Sequence, residues 1–170
     1  MMKKVSVILI LPLLFVLWGC YDEVSFDNKP AIEFVSLSKE IRLDQFSGSK
    51  KDSVILTIKF QDGDGDLGLN EAEKTKAEVN NDFNYLIRLY RKKNGVFKEF
   101  IPDIPYSGYF PRLKEDTNKG PIEGTLAYTM QFPHPFTPLK DSLKFQVTIK
   151  DRAGNISNSV ESSIIILNEF

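Results

Sequence analysis

The segment 142–150 has the sequence Ser-Leu-Lys-Phe-Gln-Val-Thr-Ile-Lys, in which every odd-numbered residue is apolar. A β-strand turns successive side chains to opposite faces, so this alternation predicts a strand with one face in a core and the other in solvent. Half-buried strands of this kind are typical of antiparallel sheets. The same alternation recurs in three other segments, whose apolar rows are Val54, Leu56, Ile58 and Phe60; Tyr85, Ile87 and Leu89; and Leu126, Tyr128, Met130 and Phe132.

Three further strands are expected near 32–37, 96–101 and 156–167. Seven short strands in a domain of about 140 residues predict a single all-β, antiparallel sandwich of immunoglobulin-like type over residues 31–170. The one helical candidate is 71–79. There Asn70 can cap the first turn and Glu73 can complete a capping box.

The composition fits one folded domain and excludes several classes of protein. The chain has 170 residues, of which 42% are hydrophobic, enough for a packed core. A net charge of −1 gives no electrostatic basis for binding nucleic acid. The single cysteine, Cys20, excludes an internal disulfide and a cysteine-based zinc site.

The N-terminus has the pattern of a secretory signal. Lys3 and Lys4 precede an apolar run over 5–18 that only Ser6 and Pro12 interrupt. This run of about 14 residues is shorter than the roughly 20 that a membrane-spanning helix needs. A basic start, a short apolar stretch and a small residue at its end predict a cleaved signal peptide.

The end of that run resembles a bacterial lipobox, Leu17-Trp18-Gly19-Cys20, although Trp18 is bulkier than is usual there. The resemblance implies a lipoprotein signal peptide over 1–19 and a lipidated Cys20 at the start of a tether over 20–30. Several acyl chains on one residue anchor a protein firmly to a membrane. The alternative is an ordinary secretion signal with Cys20 as an incidental thiol.

The tether begins with Tyr21-Asp22-Glu23, which resembles the acidic tag that sends Bacteroidetes-type lipoproteins to the cell surface. The resemblance implies an outer-membrane lipoprotein that is exposed on the cell. A plain solvated tether is the alternative, with the domain on the other face of the same membrane.

The segment 61–68, Gln-Asp-Gly-Asp-Gly-Asp-Leu-Gly, follows directly on a predicted strand. Ca²⁺ takes six to eight oxygen ligands, and Asp alternating with Gly lets a tight loop wrap around one ion. Asp62, Asp64 and Asp66 resemble the first, third and fifth ligands of a calcium loop of EF-hand type. The alternative is a solvated acidic turn, because Asp and Gly are common in turns.

The resemblance to an EF-hand does not extend further. Asn70 and Glu73 stand at the ninth and twelfth positions, but both are also placed to cap the predicted helix. Leu67 stands where the EF-hand loop requires glycine, and a strand rather than a helix precedes the loop. The sequence therefore excludes an EF-hand domain and leaves open a free-standing calcium loop or a solvated acidic turn.

Three connections should meet at one end of the sandwich. In immunoglobulin-like topology the connections 61–82, 102–123 and 151–155 lie at the same pole as the start of the first strand. Asp151 and Asn155 are therefore expected to add ligands to the same ion, at a pole that faces the tether. The turn over 151–158 also resembles the D-x-x-G-N-x-S turn of bacterial immunoglobulin-like surface domains, and the whole chain resembles uncharacterised Bacteroidetes-type lipoproteins built on one such sandwich.

Two other segments contain residues that could take part in binding or catalysis. Tyr106, Tyr109 and Phe110 lie among prolines and could stack on sugar rings or on a protein partner. Alternatively, they fold back over the open end of the core. His134, the single histidine, lies between Pro133 and Pro135, which indicates a stiff connector rather than a catalytic base.

These observations predict a non-enzymatic, lipid-anchored binding or structural module of the bacterial envelope, with calcium as its candidate ion. Its expected partners are the membrane, through Cys20, and a glycan or an envelope protein; nucleic acid is not expected. One alternative is a carbohydrate-capture lipoprotein that uses the loop aromatics. The other is a small envelope hydrolase that uses a pair of carboxylates.

Overall fold

The alternating segments form strands in the computed structural model, which describes residues 25–115 and 120–169. The strands are β1 (Ala31–Leu43), β2 (Lys50–Asp62), β3 (Tyr85–Lys93), β4 (Val96–Phe100), β5 (Ile122–Pro133), β6 (Asp141–Ile149), β7 (Val160–Glu161) and β8 (Ile165–Leu167). One α-helix, α1 (Glu71–Val79), follows β2, and a short 3₁₀ helix (His134–Phe136) follows β5.

The strands form two antiparallel sheets, which confirms the predicted all-β immunoglobulin-like sandwich. One sheet has the order β1-β2-β5. The other has the order β4-β3-β6-β7, and β8 pairs with the same strand, β6, further along the chain.

The predicted last strand, 156–167, is divided into two pieces. The Phe145 N–H donates to the hydroxyl of Ser162 at 2.9 Å, and the Ser162 N–H donates to the Phe145 carbonyl at 2.8 Å. The Ser162 hydroxyl thus accepts a bond that a backbone carbonyl would accept in a regular β-ladder. The pairing with β6 is therefore interrupted between β7 and β8. The described part of the chain therefore has eight strands instead of the seven predicted.

The core lies between the two sheets and is built from the predicted rows. Val54, Leu56 and Ile58 of β2 are fully buried, and Leu143 and Phe145 of β6 are fully buried opposite them. The buried apolar residues all lie between Ile32 and Leu167. Among the described residues, the core is therefore built from the segment 32–167.

Helix α1 has the predicted bounds and the predicted cap. The Asn70 side chain accepts the Glu73 N–H at 2.9 Å, and the Glu73 side chain accepts the Asn70 N–H at 2.9 Å. None of its residues is buried, so the helix is held mainly by its cap and its ends. Within the described residues, no helix is long and apolar enough to cross a membrane.

The sandwich has two poles that differ in chemistry. At the acidic pole β2 ends, β3 begins and β6 ends, so the connections 63–84, 101–121 and 150–159 lie there. At the distal pole lie the turns 44–49 and 94–95, the connection 134–140 and residues 168–169. The thirteen-residue strand β2 separates the poles by about 40 Å.

Candidate metal centre

The three connections predicted to share one pole are in contact there. The Ala153 N–H donates to Oδ2 of Asp66 at 3.0 Å. This bond joins the β6–β7 connection to the acidic loop, residues 61–68. The Leu113 N–H donates to the Leu67 carbonyl at 3.2 Å, which joins the β4–β5 connection to it. Both contacts hold the acidic loop against its neighbours.

The acidic loop is fixed from below by Leu67, which is fully buried in the core. This explains why leucine stands where an EF-hand loop has glycine: the position fills the end of the sandwich. The chain turns instead at Gly68, which has φ +87°, and a Cβ at that position would overlap the Pro111 carbonyl. The close approach of 67–69 to 111–113 therefore requires a glycine.

Three carboxylates meet where these connections touch. Asp62, Asp66 and Asp151 each offer an oxygen, and the three oxygens lie within 4.8 Å of one another. Asp62 is 0% exposed and Asp151 is 4% exposed. Like charges at such separations, and so poorly hydrated, repel each other strongly.

Only some of the carboxylate oxygens in this loop accept hydrogen bonds from the protein. Oδ2 of Asp62 accepts the N–H groups of Gly65 and Asp66, at 2.8 and 3.1 Å. The Oδ1 atoms of Asp62, Asp64 and Asp66 are buried and have no hydrogen-bond partner among the described residues. Buried polar atoms are nearly always paired, so three unpaired oxygens in one loop indicate that a proton or a cation completes the site.

The electrostatics of the loop agree with this geometry. Burial, together with the charges of Asp64 and Asp66, raises the pKa of Asp62 to about 6, although the N–H groups of Gly65 and Asp66 act in the opposite direction. Burial also raises the pKa of Asp66, followed by the charges of Asp151 and Asp64. The Ala153 N–H and the Arg152 charge oppose this second shift. A positive charge also lies at the loop, because Arg152 donates to the Gly68 carbonyl at 3.1 Å, yet the pKa values of Asp62 and Asp66 stay raised.

The predicted ligands do not all occupy equivalent places. Asp62, Asp66 and Asp151 come together, whereas Asp64 lies outside that group although its Oδ1 is buried. Asn155 donates from its backbone and its side chain to the two oxygens of Asp151, at 2.7 and 2.8 Å. Asn155 is thus placed to orient Asp151, and its direct ligation of an ion stays a prediction.

Asn70 and Glu73 are engaged elsewhere. Besides the capping box, Oε2 of Glu73 accepts from Nε of Arg112 at 3.1 Å, and Arg112 lowers the pKa of Glu73. The ninth and twelfth positions of the apparent calcium loop therefore serve the helix. The exclusion of an EF-hand is consistent with this arrangement.

The tether lies against the acidic loop, as expected for a pole that faces the tether, although the backbone contact itself was not predicted. The Gly63 N–H donates to the Asp27 carbonyl at 2.9 Å, and a Cβ at Gly63 would overlap the Phe26 carbonyl. Pro30, the last tether residue, is buried. The acidic pole therefore faces the tether, and the glycine between two aspartates was the available signal.

Of the two alternatives for the aromatics between Pro102 and Pro111, the structure favours the one in which they fold back over the open end of the core. Phe110 is 6% exposed and meets Tyr85 edge to face, with ring centroids 6.4 Å apart. Tyr106 stacks on Phe132 at 4.6 Å. Tyr109 lies half-buried beside Phe83 at 5.2 Å. The open end of the core takes these side chains because apolar area there would otherwise face water.

His134 has the structural position expected for a stiff connector. Its Nε2 lies 3.3 Å from Oδ1 of Asp52, and both side chains are nearly buried. Oδ2 of Asp52 accepts the Asn168 N–H at 2.7 Å. The histidine thus links the start of β2 to the β5–β6 connection.

One member of the acidic cluster, Asp151, borders an open cavity on the side of α1. The cavity has a volume of about 340 Å³ and lies between α1 and the β6–β7 connection. An ion could enter from this side. Cys20, Asp22 and Glu23 lie outside the described residues.

Comparison of the chain with protein-family models, with curated proteins and with solved structures found no match.

Proposed function

We propose that this chain is a non-enzymatic, lipid-anchored module of the bacterial outer membrane, and that a calcium ion stabilises its acidic pole. The observation that carries the calcium site is the set of buried Oδ1 atoms in Asp62, Asp64 and Asp66 that lack partners. The module binds a partner or supports the envelope rather than catalysing a reaction.

The donor set favours calcium over other ions. Every candidate ligand is an oxygen, whereas zinc and copper sites usually contain nitrogen or sulfur. Backbone carbonyls and water can supply the ligands that three carboxylates leave open. Mg²⁺ demands a strict octahedron and fits a flexible loop less well.

The anchor is supported by the sequence before the domain. Cys20 is five residues before Ser25, at most about 18 Å along an extended chain. Because residues 26–28 contact Gly63, the acidic pole would sit close to the membrane that holds the lipid. The acidic pair Asp22 and Glu23 supports exposure on the cell surface.

The remaining chemistry supports a module rather than an enzyme. The one histidine is paired with Asp52 and nearly buried. The burial of Phe110 and the stacking of Tyr106 weaken the alternative of glycan capture by loop aromatics.

The calcium site is tested by thermal unfolding of the chain from Asp22 to Phe170, in millimolar Ca²⁺ and in chelator. A ligand at about one hundred times its dissociation constant adds about 2.7 kcal/mol of stability, which raises the melting temperature of a domain this size by several degrees. We expect that increase with Ca²⁺ and a smaller one with Mg²⁺. Identical melting curves in calcium and in chelator would contradict the site.

A further inference from the structure

We propose that the distal pole binds an anionic lipid surface, with Phe46 and Phe136 as the side chains that insert. This proposal does not depend on the calcium site or on the lipid anchor. It rests on two rigidly displayed aromatic rings and on unpaired lysines around them.

Phe46 is displayed by a well-ordered turn. Its side chain is 98% exposed. Oδ1 of Asp44 accepts the N–H groups of Phe46 and Ser47, at 3.1 and 3.0 Å, and the Gly48 N–H donates to the Asp44 carbonyl at 2.8 Å. These bonds close the turn between β1 and β2 and leave the ring in water.

Phe136 is displayed by a second fixed turn. Its side chain is 87% exposed at the end of the 3₁₀ helix. The Thr137 hydroxyl donates to the Pro133 carbonyl at 2.8 Å, and Nδ2 of Asn168 donates to the Thr137 carbonyl at 2.7 Å. Nδ2 of Asn168 also donates to the His134 carbonyl at 3.3 Å, on the other side of Phe136. The turn is therefore anchored on both sides while its phenylalanine points outward.

Other apolar side chains at this pole are also more than half exposed. They are Leu43, Val96 and Leu139. Register places these residues at one end, because Lys51 pairs with Pro133, and Asp141 pairs with Leu167. Exposed apolar clusters on soluble proteins commonly mark sites that contact a partner or a membrane.

The distal pole carries an excess of positive charge. Five exposed lysines form no ion pair within the described part of the chain. They are Lys50, Lys92, Lys93, Lys98 and Lys140.

Most acidic groups of this pole, by contrast, are compensated. Four of them lie against a lysine or an arginine, and the fifth, Asp52, is buried beside His134. The pairs are Glu40–Arg42, Asp44–Lys51, Asp52–His134, Asp141–Arg91 and Glu169–Lys39. The pole is therefore positive although the chain as a whole has a net charge of −1.

The form of the patch favours lipid over protein. A stable protein interface buries about 800 Å² per partner on a continuous, complementary face. Here the apolar side chains stand on, or directly beside, three separate connections, 44–49, 94–95 and 134–140. Projecting rings surrounded by lysines suit a fluid, anionic interface, which needs no complementary shape.

The test is vesicle sedimentation with the chain from Asp22 to Phe170, in chelator so that calcium cannot bridge the acidic pole to lipid. We expect binding to phosphatidylcholine vesicles that contain about 30% phosphatidylglycerol and none to pure phosphatidylcholine. Phe46→Ser with Phe136→Ser should abolish most of the binding. Lys92→Gln with Lys93→Gln should weaken it about thirty-fold, since each lysine near an anionic surface contributes a factor of about five.

Matched variants at the other end supply the controls. Ile101→Ser with Ile104→Ser removes two equally exposed apolar side chains, and Lys29→Gln with Lys76→Gln removes two exposed lysines. Both pairs should bind as the wild type does. Equal losses in these controls, or a wild type that sediments with neither vesicle, would overturn the proposal. A wild-type dimer that the two phenylalanine substitutions dissociate would also overturn it, because the pole would then bind a second copy.

Discussion

At the scale of single residues, Asp62 has two roles that conflict. Its Oδ2 accepts two backbone N–H groups and so shapes the acidic loop, whereas its Oδ1 is buried without a partner. An asparagine keeps an acceptor oxygen for the loop and removes the charge. The two roles can therefore be separated by one substitution.

We predict that Asp62→Asn raises the melting temperature in chelator, because repulsion from Asp64 and Asp66 disappears, and that it removes most of the response to calcium. Asp103→Asn, which removes an exposed aspartate outside the cluster, should leave both melting curves unchanged. The measurement is thermal unfolding with and without Ca²⁺. An Asp62→Asn protein that still gains several degrees from calcium would place the ion elsewhere.

The pKa of Asp62 predicts how stability depends on pH. Its folded-state pKa is raised from 3.8 to about 6, so the folded chain binds a proton more readily than the unfolded chain does. In chelator the free energy of unfolding should therefore fall as pH rises from about 5 to 7. The raised pKa values of Asp66 and Asp141 act in the same direction.

Groups with a lowered pKa do not interfere in that range. Hydrogen bonds from Ser47 lower the pKa of Asp44 to about 2, and stability from this group is lost only as pH falls below about 4. Urea unfolding at several pH values is the measurement. Saturating calcium should flatten the dependence, because the ion keeps the carboxylates ionised. A free energy of unfolding that rises between about pH 5 and 7 in chelator would contradict the shift.

The residues of the site were only partly predictable. The Asp-Gly alternation identified Asp62, Asp64 and Asp66, and topology brought Asp151 to them. Their burial could not be predicted, because it arises when the connections 101–121 and 150–159 close over the loop. Asn155 was predicted to lie at the site because its connection reaches the same pole. Its hydrogen bonds to Asp151, however, depend on a turn geometry that the sequence does not specify.

At the scale of elements, period-two alternation predicted the strands well where one face is buried. The helix was predicted from its cap, since Asn70 and Glu73 have the right spacing. The turn between β3 and β4 also had a readable signal: Asn94 and Gly95 both have positive φ, as this dipeptide does in tight hairpins. The inward turn of Tyr106 and Phe110 was one of two alternatives, but their partners Phe132 and Tyr85 could not be predicted, because they are distant in sequence.

The contact between the acidic loop and the β4–β5 connection gives a prediction for Gly68. Gly68→Ala should lower the free energy of unfolding by about 2–4 kcal/mol. The residue has a positive φ, and the added Cβ would overlap the Pro111 carbonyl. Gly154→Ala is the matched control: its φ is +90°, but open space surrounds its Cβ position. It should cost only about 1 kcal/mol. If urea unfolding gave both variants the same loss of free energy of unfolding, the Pro111 carbonyl would be able to move away from the new Cβ at little cost.

At the scale of the whole molecule, the two poles form an axis with opposite charge at its ends. The tether meets the acidic pole through Asp27 and Gly63, and the displayed phenylalanines stand about 40 Å away along β2. On the proposed anchor, the acidic pole faces the membrane that holds the lipid, and the distal pole faces away from it. The two proposals together place lipid at both ends of one rigid domain.

This arrangement requires Cys20 to hold the chain at one membrane, because the acidic pole itself would be repelled by anionic lipid. We predict that Cys20→Ser, expressed as the full chain in a bacterial host that acylates lipoproteins, loses its fatty acid label and leaves the outer-membrane fraction. Its melting temperature should match that of the wild type, since the core begins at Ile32 and no disulfide is lost. Ser25→Ala, a hydroxyl removed from the same tether, should stay fully acylated and membrane-bound. A Cys20→Ser protein that remained in the outer-membrane fraction in high salt and chelator would show that something other than acylation anchors the chain.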